Sequence, residues 1–305
     1  MIAAAIDVGT NSIKSCIGER DAGGSIRVLK EMSAIARLGE GFDAAHKLQT
    51  AAIDRAVKAI GKQVQVARDL GADRIRLVGT SAVRDATNRD VLIDQVEREF
   101  GVKLETASEY DEARLSYSAV ALDPVLGGYS GHQLVVDIGG GSTEFIYGED
   151  SHMGFTMSVR AGAVRLTEKF LNGEKQTADQ IVDAGIGAEN LIRDVARKAK
   201  VDRLVGVGGS IINMARIQQG VTPEKTDRVH GLRMSHRDIG NVMNLLVLHT
   251  VEERRRIVGL EPERADTILG GAVILDRILA LCEIEEIIVS IRGLRHGLLN
   301  EMLSS

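Results

Sequence analysis

Apolar positions along the chain follow two rhythms. Short, nearly unbroken apolar runs predict buried strands at Ile75 to Val78, Gln133 to Val136, Leu204 to Val207 and Glu286 to Ser290. Longer stretches with apolar residues three and four apart predict helices at Thr50 to Leu70, Gly162 to Leu171, Thr177 to Ala199, Asp266 to Leu281 and Leu294 to Leu303. Strands that alternate with helices in this way indicate an α/β fold. The opening MIAAAIDVG has no basic start and carries Asp7, so it reads as a first strand rather than a signal peptide.

One strand–turn–strand pattern occurs twice. Ile6 to Glu19 reads IDVGTNSIKSCIGE, and Val136 to Glu149 reads VDIGGGSTEFIYGE. Without a gap, Asp7 matches Asp137, Gly9 matches Gly139, Ser12 matches Ser142 and Gly18 matches Gly148, a constant offset of 130 residues. A weaker echo pairs LVGTS at Leu77 with LVGVGGS at Leu204. That period is too long for a solenoid, so it predicts two similar domains with equivalent turns facing across a cleft. Leu122 to Gly131, with Pro124 and three glycines, is the linker candidate, giving domains at 1–123 and 124–305.

Composition narrows the function. The 305 residues suffice for two domains, with 44% apolar and 27% charged residues as in ordinary globular proteins. Net charge is −5 and aromatics are scarce (no Trp, 4 Tyr, 5 Phe), which argues against a nucleic-acid duplex as partner. Cys16 and Cys282 lie far apart without metal-ligand spacing, as in a reduced cytoplasmic protein. No stretch reaches the roughly 20 apolar residues of a membrane span.

The 33 glycines, against 3 prolines, gather where an anion could be held. Glycine allows backbone N–H groups to converge and removes the side chain that would keep a phosphate away. Gly9-Thr10-Asn11-Ser12 and Gly139-Gly140-Gly141-Ser142 have that composition, with hydroxyls as further donors. Asp137 ends an otherwise apolar strand, where an unpaired carboxylate calls for a cation or solvent. Mg2+ is bound through one or two carboxylates plus phosphate oxygens, so Asp137 and Glu144 are the candidate ligands.

Further segments carry a family resemblance. DVGTNS, RLGEG at Arg37, GTSAVRDATN at Gly79, DIGGGSTE at Asp137, GAVRLTE at Gly162, RADTILGGAVIL at Arg264 and GLRHGLL at Gly293 together resemble the exopolyphosphatase/guanosine pentaphosphate phosphohydrolase (Ppx/GppA) family. The motifs span almost the whole chain in the family's order. The resemblance implies duplicated actin-like (ribonuclease H-like) α/β domains around a cleft. No His-Asp doublet marks the further domain of longer members, so the chain resembles the short, two-domain form.

The family's catalytic glutamate lies in a segment resembling S-G-x-E-E-A-R-L, here Ser108 to Leu115, which implies Glu112 as the base that activates water. Two positions depart from the pattern: Glu109 stands at the usual glycine and Asp111 at the first glutamate. Arg84 resembles the family's phosphate-gripping arginine, whose planar fork suits a phosphate oxygen pair. Gly208-Gly209-Ser210 resembles the superfamily's second-domain turn, and Arg165 and Arg295 are weaker candidates for a polyphosphate tail. The expected activity is Mg2+-dependent hydrolysis of terminal phosphoanhydrides in polyphosphate or guanosine pentaphosphate, by a homodimer. A kinase or ATPase of the same superfamily and a weakly catalytic sensor of these ligands are the rival readings.

Overall fold

A computed structural model describes residues 1–21, 26–42, 46–198 and 200–304. The chain divides into two compact units, residues 1–119 with 294–305, and residues 120–293.

The first unit is built on the strands Ile2–Val8 (β1), Ser12–Arg20 (β2), Ile26–Ile35 (β3), Arg74–Gly79 (β4) and Leu104–Thr106 (β5). They lie in the order β3-β2-β1-β4-β5, with β2 antiparallel to both neighbours and β4 and β5 parallel to β1. Central β1 is apolar on both faces, and Ala3 to Ile6 are fully buried. Helix Thr50–Asp69 (α1) presents Ile53, Ala56, Val57, Ile60 and Val64 at helical spacing. That face joins one core with Leu92 and Val96 of helix Arg89–Phe100 (α3), which ends in left-handed Gly101. Short helix Ser81–Asp85 (α2) follows β4, and Glu109–Ala121 (α4) follows β5.

The second unit repeats the plan. Strands His132–Ile138 (β6), Thr143–Glu149 (β7) and His152–Val159 (β8) form the meander, and Arg203–Val207 (β9) runs parallel to β6. With the strands Arg233–Ser235 (β10) and Glu286–Val289 (β11), the order is β10-β11-β9-β6-β7-β8. Both meanders carry a register irregularity at the same place, after Ile17 and after Tyr147, so the 130-residue offset holds down to a bulge. Helices Ala163–Phe170 (α5), Ala178–Ala196 (α6), Gly209–Gln219 (α7), His236–Leu248 (α8), Val251–Arg254 (α9) and Ile268–Cys282 (α10) complete the unit. The reading of α6 to Ala199 ends on a residue outside the described ones. Thr177 with Gln180, and Ser235 with Asp238, form capping boxes that start α6 and α8. α10 is apolar almost all round and buried accordingly. Two duplicated α/β units of this topology are an actin-like fold.

The expected boundaries of 1–123 and 124–305 need revision at the C-terminus. Helix Leu294–Ser304 (α11) belongs to the first unit, because Leu294, Leu298, Leu299, Met302 and Leu303 pack with Ala3, Ala5, Cys16 and Val78. Each such side chain contributes roughly 1.5–3 kcal/mol when buried, which decides where the helix folds. The linker candidate Leu122 to Gly131 is also pinned. Asp123 is fully buried on the second unit, where its Oδ1 accepts the amides of Val125 and Leu126 and it pairs with His230 and Arg292.

Candidate active site

Each unit brings its glycine turn to the C-terminal end of its central strand. Gly9 N donates to Ser12 O at 3.1 Å, and Gly139 N donates to Ser142 O at 2.9 Å. A Cβ on Gly9 would come to 2.9 Å of that same carbonyl and one on Gly139 to 3.1 Å, so the tight closure favours glycine, more strictly at Gly9. Chain leaving the third strand buttresses each turn. Asn11 O accepts the amides of Ala36 and Arg37, and Thr10 O accepts that of Gly39. In the second unit Gly139 O accepts Ala163 N, and Gly140 O accepts Val164 N. Gly39 leaves room for the Thr10 methyl and Gly162 for the Gly140 carbonyl, since added Cβ atoms would come to 2.3 Å of each. The RLGEG and GAVRLTE segments therefore shape the turns, a role hidden in the sequence.

In the first unit, Arg84 and Glu112 meet. Arg84 Nη1 donates to Glu112 Oε2 at 2.8 Å, with both side chains largely buried. Burial works to lower the Arg84 pKa, but the bond it donates to Glu112, with the Glu112, Asp85 and Glu109 charges nearby, outweighs it and raises the pKa. Ser108 caps α4 by accepting Asp111 N at 3.1 Å, and its hydroxyl donates to the Asp111 carboxylate. Asp111 is thus held at the helix start, where an acid suits the helix dipole. Glu109 points mostly to solvent, 3.8 Å from Arg84 Nη2. α11 fixes the helix that carries Glu112: Gly297 lets it press on the Leu115 carbonyl, and Arg114 bonds Glu301 at 2.7 Å. Arg295, a tail candidate, bonds Glu31 on β3 at 2.7 Å.

The second unit gathers acids around its turn. Asp137 and Glu144 are cross-strand partners, which puts their side chains on one face. Glu144 is buried and its Oε1 accepts Ser142 Oγ at 2.6 Å and Ser158 Oγ at 3.0 Å. Asp137 Oδ1 lies against Gly208, whose φ of +92° and lack of a Cβ, which would sit 2.5 Å from that oxygen, both demand glycine. Gly208 is thereby joined to the Asp137 site, and Gly209 and Ser210 follow it as the first residues of α7. Arg264 lies on Gly209, and Gly271 accommodates Ser210, which accounts for RADTILGG. Arg165, the other tail candidate, lies beside this turn and its amide reaches Gly140 O.

This donor set fits Mg2+. A half-buried Asp137 carboxylate at a strand end and the neighbouring serine hydroxyls offer the hard oxygen donors that Mg2+ takes. Asp137 suits direct ligation, and Glu144 is engaged in orienting Ser142 and Ser158.

Comparison with known proteins agrees with the motifs. Residues 16–305 match the profile of the Ppx/GppA phosphatase family. Exopolyphosphatase 2 of Mycobacterium tuberculosis is 31% identical over 286 residues, covering 90% of this chain and 89% of its own. A guanosine-5'-triphosphate,3'-diphosphate pyrophosphatase of Vibrio vulnificus is 31% identical over 99% of this chain and 59% of its own length. The crystal structure of an exopolyphosphatase from Cytophaga hutchinsonii superposes with a TM-score of 0.91 at 25% identity, covering 100% of this chain and 98% of its own.

Proposed function

The chain belongs to the Ppx/GppA phosphatase family, and from that premise we propose that this phosphoanhydride hydrolase is an exopolyphosphatase, releasing inorganic phosphate from the ends of polyphosphate. The Arg84–Glu112 pair carries the reading: a carboxylate and a guanidinium lie in contact on the segments where the family's base and phosphate-gripping arginine are expected.

In this reading an incoming terminal phosphate draws Arg84 to its oxygens, and Glu112 is left to orient a water. Glu112 accepts the water's proton as its oxygen bonds to the terminal phosphorus. The bond from that phosphorus to the bridging oxygen breaks, giving phosphate and a chain one unit shorter. The turns at Gly9–Ser12 and Gly139–Ser142 supply amides and hydroxyls to phosphate oxygens, with Gly208–Ser210 supporting Asp137. Asp137, backed by Glu144, would hold Mg2+, which offsets charge on the phosphate oxygens.

Both turns consist of small polar residues without an aromatic to stack a base, which supports phosphate rather than nucleoside recognition. The likeness to the Vibrio protein favours a second reading, a guanosine pentaphosphate 5'-phosphohydrolase. No helix among the described residues is long and apolar enough to cross a membrane, in keeping with a cytoplasmic place. A homodimer is the proposed assembly, which sedimentation would test. The functional test is phosphate release from long polyphosphate, short polyphosphate, guanosine pentaphosphate and ATP with Mg2+. Fastest release from polyphosphate is expected, and preference for guanosine pentaphosphate would select the second reading.

A further inference from the structure

Apart from the glycine turns, the first unit holds a second cluster with metal-binding chemistry. Cys16 on β2 and Glu31 on β3 are direct cross-strand partners, so their side chains emerge on one face. α11 lays His296 onto that face. One ligand atom each from Cys16, Glu31 and His296 lies within 4.8 Å of the other two. The His296 Nε2 is 3.0 Å from Glu31 Oε1, and Arg295 Nη2 donates to Glu31 Oε2 at 2.7 Å.

We propose that Cys16, Glu31 and His296 form a binding site for a borderline-soft divalent transition ion of the Zn2+ class. Thiolate, imidazole and carboxylate are the donors such ions take, whereas Mg2+ takes oxygen. Arms of about 2.0–2.3 Å in a tetrahedron separate donors by roughly 3.3–3.8 Å, so small side-chain rotations close the cluster on an ion placed where His296 and Glu31 now touch. Binding releases the Cys16 thiol proton and leaves imidazole neutral. Arg295 fixes the second oxygen of Glu31, the outer-shell contact that orients a ligating carboxylate. Cys16 and His296 are buried, while the Glu31 side chain is 37% exposed and gives the ion a way in. Three protein donors leave a fourth position for water. An ion here would clasp α11 to β2 and β3, independently of the Mg2+ expected at Asp137.

Chelator-treated, reduced protein titrated with Co2+ tests the site. One equivalent is expected to bind with a near-ultraviolet thiolate-to-cobalt band. That band persists in excess Mg2+ and in Cys282→Ser, yields to Zn2+, and vanishes in Cys16→Ser. His296→Gln and Glu31→Gln weaken Co2+ binding at least about tenfold, the scale that even outer-shell losses reach. Zn2+ raises the melting temperature of the wild type and leaves that of Cys16→Ser unmoved. Should Cys16→Ser not fold, the two other variants carry the test. The proposal is overturned if folded, reduced wild type gives no band, if Mg2+ displaces the ion, or if the variants bind as the wild type does.

Discussion

The two strand–turn–strand units are copies that have diverged at one decisive position. Asp7 and Asp137 end equivalent strands, Gly9 and Gly139 close equivalent turns, and a serine, Ser33 or Ser158, sits opposite on the third strand. Across from Asp7 stands Lys14, and across from Asp137 stands Glu144. The first aspartate thus has a cation as its cross-strand neighbour. Two facing acids concentrate negative charge, which a cation relieves. On the proposed reading the same backbone would serve as a phosphate turn in one unit and a metal turn in the other, and Glu112, the proposed base, belongs to the unit of the former.

On this division of labour, Glu112→Ala carries the largest effect. Phosphate release should fall by about 10²–10⁴-fold while polyphosphate binding, followed by filter retention, stays near wild type. Full turnover in that variant would remove Glu112 from its role. Next comes the contrast between the aspartates. Asp137→Asn should cost about 10²–10³-fold in rate and flatten the Mg2+ titration, whereas Asp7→Asn keeps the Mg2+ response. Equal metal profiles in the two would break the comparison.

Gly208→Ala puts a side chain at φ +92° and against Asp137, so urea melts should show a loss of about 1–3 kcal/mol, with activity lost too. Gly79, its counterpart by strand register, has no positive φ, but an added Cβ would come within 2.8 Å of Val83, so Gly79→Ala should also lose stability while retaining the Mg2+ response. Acid sharpens the picture of the second unit. Asp123 is pushed down to about 2: its burial works upward, but His230 and the amides of Leu126 and Val125 outweigh it. A lowered carboxyl contributes stability that is full above its ordinary 3.8 and fades as pH falls through about 2. Asp123→Asn should therefore lose ~2 kcal/mol at neutral pH and show a flatter stability profile between those pH values. Smallest is Glu144→Gln, which weakens two hydroxyl bonds and should cost about 1 kcal/mol, read by thermal melting.

Much of this was legible in the sequence because duplication is a strong signal. The constant offset from Asp7 to Asp137 foretold two sheets of like topology, and long helices such as α1 and α10 matched their apolar spacing within a residue or two at each end. Edge strands β3 and β8 were hidden, being half-exposed and without a clean alternation. Contacts distant in sequence were hidden as well. Nothing local to Glu144 points to Ser158, and nothing in RLGEG points to Thr10. The placement of α11 failed for the same reason, since its partners Ala3 and Cys16 lie at the far end of the chain.

That last helix has a consequence for biosynthesis. Residues 120–293 form a continuous stretch that can fold as it leaves the ribosome, whereas the half made first stays unfinished until residues 294–304 emerge. A released chain truncated before Leu294 should show a protease-resistant second unit beside an open N-terminal sheet, with Ala3 and Ala5 exposed to chaperones.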